Sequence, residues 1–393
     1  MNSFTKVSTN ALRSTSSLNR STTRFRSRSR PFPAPHASAV MAAAFFPLSS
    51  RGTVLTRSCV PLRRLLSAAA HDRRLEAPDL KVSFAHCVDL VKGADRPAYL
   101  TGLLLPEEVK LSYFALRGLN IETGKIKDLR SRSEHNPQKA KMQWWSEAVA
   151  LCFDKRDGLL SSDGSIDLDA KYSQFRHPVV VCLSAAMEGG PTLTRRLFEI
   201  MMFERTQNLD VQQYSKMQEC VSHGQHVHGT LLKLHCESLN VMDDEVDVVC
   251  DHLGVGIHIA KSLKFISELK AANEMVIPSE VAREAGMTAD MIPPPRKEGE
   301  GEVEGSVAPQ LQSAIFTLAC EGKEHTDQAR ERFMNLDSAM QNKVACVLRE
   351  GVEATRVYES LEETDFARVK GETFATSLPI LMAKNRLLMR PPF

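Results

Sequence analysis

The chain has 393 residues, 42% of them hydrophobic and 25% charged, which is enough apolar material for one large folded core. A net charge of +2 and the lack of an interleaved basic and aromatic patch argue against nucleic acid as a partner. The nine cysteines form no CxxC pair, which argues against a zinc ribbon or redox motif, and no window reaches the roughly 18 to 20 uninterrupted apolar residues of a membrane span.

Residues 1–71 hold no Asp or Glu but carry Arg13, Arg20, Arg24, Arg26, Arg28, Arg30, Arg51, Arg57, Arg63 and Arg64 among many Ser and Thr. Arg-rich, Ser-rich and free of acids is the pattern of an organellar transit peptide, here read as mitochondrial. The folded part is expected over 82–390 and reads as helical almost throughout. His86 to Lys92 forms a short helix broken at Asp95-Arg96-Pro97. Pro106, Glu107 and Glu108 then open a long helix, in which Val109, Tyr113, Leu116, Leu119 and Ile126 form one buried stripe. Further helices are predicted from Met142 to Phe153, from His177-Pro178 to Ala186, over 194–208, over 211–240 and from Asp243 to Leu269. Residues 291–309 (MIPPPRKEGEGEVEGSVAP) cannot bury enough apolar surface to offset ordering, so a disordered insertion is expected there. Helices over 314–322, 328–334, 338–359 and 376–388 close the chain. No segment of β period stands out, and the fold class is all-α.

Several ordered blocks carry a family resemblance. They are Leu104-Leu105-Pro106 with Phe114 to Arg117, Met142 to Trp145, His177-Pro178-Val179, Glu204-Arg205 with Asn208 to Asp210, Cys220 to Gly229, and the stretch from Gly254 to Pro278. Together they resemble the squalene/phytoene synthase family, and more closely a divergent mitochondrial branch of it tied to the assembly of respiratory complex I (NADH dehydrogenase). The resemblance implies an isoprenoid-synthase-type helical bundle with a central cavity. It also implies complex I subunits or assembly intermediates as partners, on the matrix side of the inner membrane with peripheral association.

The family's chemistry ionises a diphosphate held by magnesium, which takes hard oxygen ligands from aspartates one helical turn apart. The resemblance puts the first such box at Gly124 and Lys125, with Asp128 the one acid kept. It puts the second at Phe265 and Leu269, and the active-site Tyr position at Cys220. Of these six positions only Asp128 keeps the required chemistry, so a catalytically inactive pseudoenzyme without cofactor or metal is expected. The alternatives left open are a permanent structural subunit of a mitochondrial complex, or a prenyl or terpenoid transferase with atypical diphosphate binding. Lys125, Lys261 and Lys264 are candidate anion-binding residues, set where metal ions would otherwise lie. His223, His226, His228 and His235 drift around a helix with Cys220, which favours packing over a metal site. Glu204 and Asp210 read as salt-bridge acids, with Arg205 as the nearest partner.

Overall fold

The computed structural model describes residues 77–129, 137–158, 175–295, 307–367 and 392–393. The expected transit peptide at 1–71, the middle of the expected insertion (296–306) and the helix expected at 376–388 lie outside the described residues.

The chain opens with α1 (Ala77–Ala94) and α2 (Arg96–Leu103), joined at Asp95, whose carboxylate accepts from Ala98 N at 3.0 Å and caps α2. Pro106 then precedes α3 (Glu107–Gly124), whose acids Glu107 and Glu108 sit at the positive end of its dipole. The stripe predicted on α3 is buried in full, from Val109 through Tyr113, Leu116 and Leu119 to Ile126 in the following turn. Next come α4 (Pro137–Arg156) and α5 (Pro178–Gly189). The latter starts where predicted, with Pro178 in its first turn and His177 Nδ1 accepting from Val179 N at 3.3 Å. Helices α1, α3 and α5 pack on one another, and α4 packs on α5.

After α6 (Arg195–Gln207) and a 3-10 turn (Asn208–Asp210), the predicted continuous helix over 211–240 is interrupted at both its start and its middle. Residues 211–216 are extended, and Gln213 makes an isolated parallel bridge with Met275. The helix begins only as α7 (Met217–Gly224), passes through a π-helical turn (Gln225–Gly229) and continues as α8 (Thr230–Ser238). The π turn crosses α9 (Asp244–Lys264) backbone to backbone. A Cβ on Gly254 would stand 2.1 Å from Gly229 N, so only glycine fits there. The Asp243 side chain caps α9, accepting from Glu245 N and Val246 N at 3.0 Å each.

Helix α9 does not run on to Leu269. It ends at Lys264, and α10 (Ile266–Ala271) restarts beyond Phe265, which is 44% exposed. Then follow α11 (Ser279–Ala285) and α12 (Pro309–Asn335), one helix where two were expected. The reverse holds at 338–359, which divides into α13 (Ser338–Leu348) and α14 (Gly351–Glu363). The division turns Glu350 into the core, where it pairs with buried Arg117. Helix α9 packs along α12 and also touches α14 and the π turn, so it is the central member of an all-α bundle.

Candidate functional site

A cavity of about 220 Å³ lies beside α9. The C-terminal end of α3 supplies Thr123, Gly124 and Lys127, and the end of α6 supplies Arg205 and Asn208. His223 on α7, His228 in the π turn and His258 on α9 add three imidazoles. Tyr214 and Gln213 come from the extended segment after α6, and Leu269, Glu274 and Met275 from α10 and beyond. Backbone bonds from Met275 N to Gln212 O (2.8 Å) and from Ser279 N to Tyr214 O (2.9 Å) fasten these last two segments together. Lys127 and Glu274, both on the lining, pair at 3.0 Å.

Arg205 is the unusual member. Its Nη2 donates to Asn120 Oδ1 at 2.6 Å, its Nε is buried with no partner, and no carboxylate among the described residues pairs with it. Its Nη1 lies 3.1 Å from where a Cβ on residue 124 would stand, so the guanidinium occupies the space above Gly124. Burial lowers the Arg205 pKa to about 10, with Tyr214 nearby opposing the shift; the group remains charged at neutral pH.

Two further polar atoms of the wall have no partner. Glu204 Oε1 is 3.1 Å from His223 Nδ1, which makes that nitrogen the donor. Asn208 Nδ2 lies 3.3 and 3.4 Å from the two His223 ring nitrogens and donates to Tyr214 Oη at 3.1 Å. Asn208 Oδ1 is left buried and unpaired, as is His258 Nε2. Burial pushes the pKa values of His228 and His258 well below the usual imidazole range, with Lys261 and His223 respectively adding repulsion. Burial also lowers the His223 pKa, partly offset by its bond to Glu204, while that bond lowers the Glu204 pKa.

Among the residues singled out from the sequence, Gly124 and Leu269 of the box positions line this cavity, together with Arg205, His223 and His228. Lys125 is half exposed and 3.4 Å from Glu122 on its own helix, and Asp128 is exposed. Phe265 sits in the helix break, and Cys220 is buried, where desolvation pushes its thiol up to about 12. Lys125, Lys261 and Lys264 lie outside the cavity lining. Lys261 Nζ is 2.8 Å from Asp95 Oδ2 and Lys264 Nζ is 2.6 Å from Glu353 Oε1, so these two lysines face acids from other parts of the chain. Glu204 and Asp210 are in ion-pair geometry as expected, but not with Arg205: Glu204 faces His223 and His226, and Asp210 pairs with Lys139 at 2.8 Å.

Sequence reasoning named Arg205 only as a salt-bridge partner and Asn208 only within a family block, and it did not single out His258. A signal was available for Arg205. Its neighbours one helical turn away are Met201, Met202, Asn208 and Leu209, so it has no local acid to pair with.

The residues present do not suit a magnesium ion. Magnesium takes hard oxygens, but the only carboxylate lining the cavity, Glu274, is ion-paired, and a guanidinium lies over Gly124. Among the described residues, no group of three or more His, Cys, Asp or Glu is disposed to hold a metal.

A family model described as squalene/phytoene synthase matches residues 91–376. The chain is 29% identical over 232 residues to the Mus musculus protein named NADH dehydrogenase (ubiquinone) complex I, assembly factor 6, covering 58% of this chain and 64% of that one. The Homo sapiens protein of that name is 27% identical over 205 residues, 52% of this chain and 56% of its own length. The Drosophila melanogaster homolog is 25% identical over 250 residues, 63% of this chain and 66% of its own length. The match thus spans less than two thirds of the mouse and human proteins. A dehydrosqualene synthase solved with ligand superposes with a TM-score of 0.57 at 15% identity, covering 79% of this chain and 99% of that one. Squalene synthase HpnC from Alicyclobacillus acidocaldarius gives 0.54 at 12% identity, with 74% and 96% covered. Both structures share the fold, an isoprenoid-synthase-type bundle.

Proposed function

Because the chain belongs to the squalene/phytoene synthase family, we propose that it has lost that family's chemistry and serves as a non-catalytic factor in assembling mitochondrial respiratory complex I. The observation that carries the non-catalytic half is the first-box position. A prenyl synthase needs oxygen ligands for magnesium there, and this chain has Gly124 with the Arg205 guanidinium above it. The break of α9 at Phe265 adds to this, since it ends the helix that the resemblance would have carry the second box. Hence no metal or organic cofactor is assigned to the protein.

The assembly half is supported by the name that the mouse, human and fly relatives share. A mitochondrial address is supported by the acid-free, Arg-rich composition of residues 1–71. No helix among the described residues is long and apolar enough to cross a membrane. Peripheral association with the matrix side of the inner membrane fits that fact. The partners are complex I subunits or their assembly intermediates, met by surface contact.

Two measurements test the reading. Depleting the protein from its own cells should lower assembled complex I on native gels and leave subassemblies behind, while other respiratory complexes stay at their normal level. Purified protein given farnesyl diphosphate and magnesium should release no diphosphate. Normal complex I after depletion would end the assembly role, and turnover in the second assay would end the non-catalytic one.

A further inference from the structure

We propose that the cavity binds a small phosphoryl oxyanion without any divalent metal, with Arg205 as its cationic anchor. The site differs from the one expected at Lys125, Lys261 and Lys264, and it does not rest on the assembly role.

The charge balance of the cavity wall is the first argument. Lys127 is neutralised by Glu274, and Glu204 is turned to His223 and His226. Arg205 alone keeps a full positive charge with only an amide oxygen, Asn120 Oδ1, as partner. An enclosed guanidinium without a counter-charge is costly, and its planar fork is shaped for an oxyanion. Nη1 is the available edge. It makes no hydrogen bond and stands over Gly124, whose missing side chain leaves that edge uncovered.

The unpaired atoms give the second argument, and they select among oxyanions. Asn208 Oδ1, an amide oxygen that can only accept, is buried and unpaired while its Nδ2 donates to Tyr214 Oη. A carboxylate ligand brings acceptors alone and would leave Oδ1 unpaired. A hydrogenphosphate, or a phosphate monoester as its monoanion, brings acceptor oxygens for Arg205 and a P–OH donor for Oδ1. His258 Nε2, on a neutral imidazole, can donate or accept according to tautomer and completes the wall. Buried unsatisfied polar atoms call for an explanation, and a missing ion with its waters is a standard one. The volume of about 220 Å³ holds a phosphate group with a few waters, each of which takes about 30 Å³ in the liquid.

The test uses the purified full chain in EDTA, with inorganic phosphate and diphosphate titrated by calorimetry. Vesicles of phosphatidylcholine with and without phosphatidic acid form a separate arm. Saturable phosphate binding that magnesium does not strengthen is expected. Arg205→Gln should weaken it at least tenfold. Gly124→Asp should weaken it as much, because it keeps Arg205 but sets a carboxylate against Nη1. Circular dichroism and the ligand-free thermal midpoint report whether each variant folds. Phosphatidic-acid vesicles that compete with phosphate would assign the site to a lipid head, and vesicles that do not would assign it to a free ion; both support the proposal. The proposal is overturned if the parent binds neither form, if binding requires magnesium, or if both folded variants bind like the parent. Complex I plays no part in the assay, so its failure would leave the assembly role standing.

Discussion

Two arginines enclosed by the same bundle have opposite surroundings. Arg117, on α3, pairs with Glu350 and lies 3.9 Å from Asp95, which Lys261 also holds. The Tyr113 hydroxyl joins this cluster, 2.8 Å from Glu350 Oε1 and 2.9 Å from Ala98 O. Arg205, on α6, has one amide oxygen and an uncovered edge. The Arg117 cluster has carboxylates in place and ties together parts of the chain that are far apart in sequence. At Arg205 the counter-charge has been left out. In a fold that could readily supply an acid, that omission marks a binding function rather than a structural one.

The comparison breaks most easily at Glu350. Glu350→Gln leaves Arg117 buried without its main counter-ion and should cost about 3–5 kcal/mol, read as a lowered denaturant midpoint. If the loss is below about 1 kcal/mol, the cluster is not the structural tie described above. Replacing the pair together, as Arg117→Met with Glu350→Leu, should recover most of that loss, because neither charge is then left buried without its partner.

A pH titration tests the same cluster from the acid side. Burial by itself would raise the Asp95 pKa, but Lys261 and Arg117 hold it down to about 2. A depressed carboxylate adds stability that is complete above its unfolded value, near 3.9, and is lost as pH falls from there towards 2. Asp95→Asn should therefore lower stability by about 2 kcal/mol at neutral pH and flatten the fall between pH 4 and 2. An unchanged acid limb would remove Asp95 from the cluster.

The smallest effect is expected at Arg205. Its pKa is lowered, so its charge is a cost present below about pH 10 and relieved as pH rises above it. Arg205→Gln loses the bond to Asn120 but sheds that cost, and should change ligand-free stability by less than about 1 kcal/mol in either direction. A loss like that of Glu350→Gln would erase the distinction between the two arginines.

Much of this fold could be read from the sequence because its signals are local. The α3 stripe, the Asp243 cap on α9 and the His177-Pro178 start of α5 all depend on residues a few positions apart. What was not legible depends on distant contacts. The division at Glu350 carries one local sign, the adjacent Gly351, but the pairing of Glu350 with Arg117, more than two hundred residues earlier, has none. The Gly124 and Arg205 contact joins α3 to α6, so the glycine at 124 was readable from the sequence but the guanidinium over it was not. The partners of the lysines on α9 were not legible for a related reason. Charges in the last turn of a helix look like free surface groups until Asp95 and Glu353 arrive from other helices.

The Arg117 cluster also sets an order of events. Tyr113 and Glu350 are 237 residues apart in the chain, and at ribosomal rates of about 5–20 residues per second that separation lasts roughly ten to fifty seconds. During that interval Arg117 has only the more distant Asp95 and lacks Glu350, so the N-terminal helices lack their main tie until the α13–α14 junction is made. The cluster acts as a late latch, and a chain truncated before residue 350 would stay open and exposed to proteases.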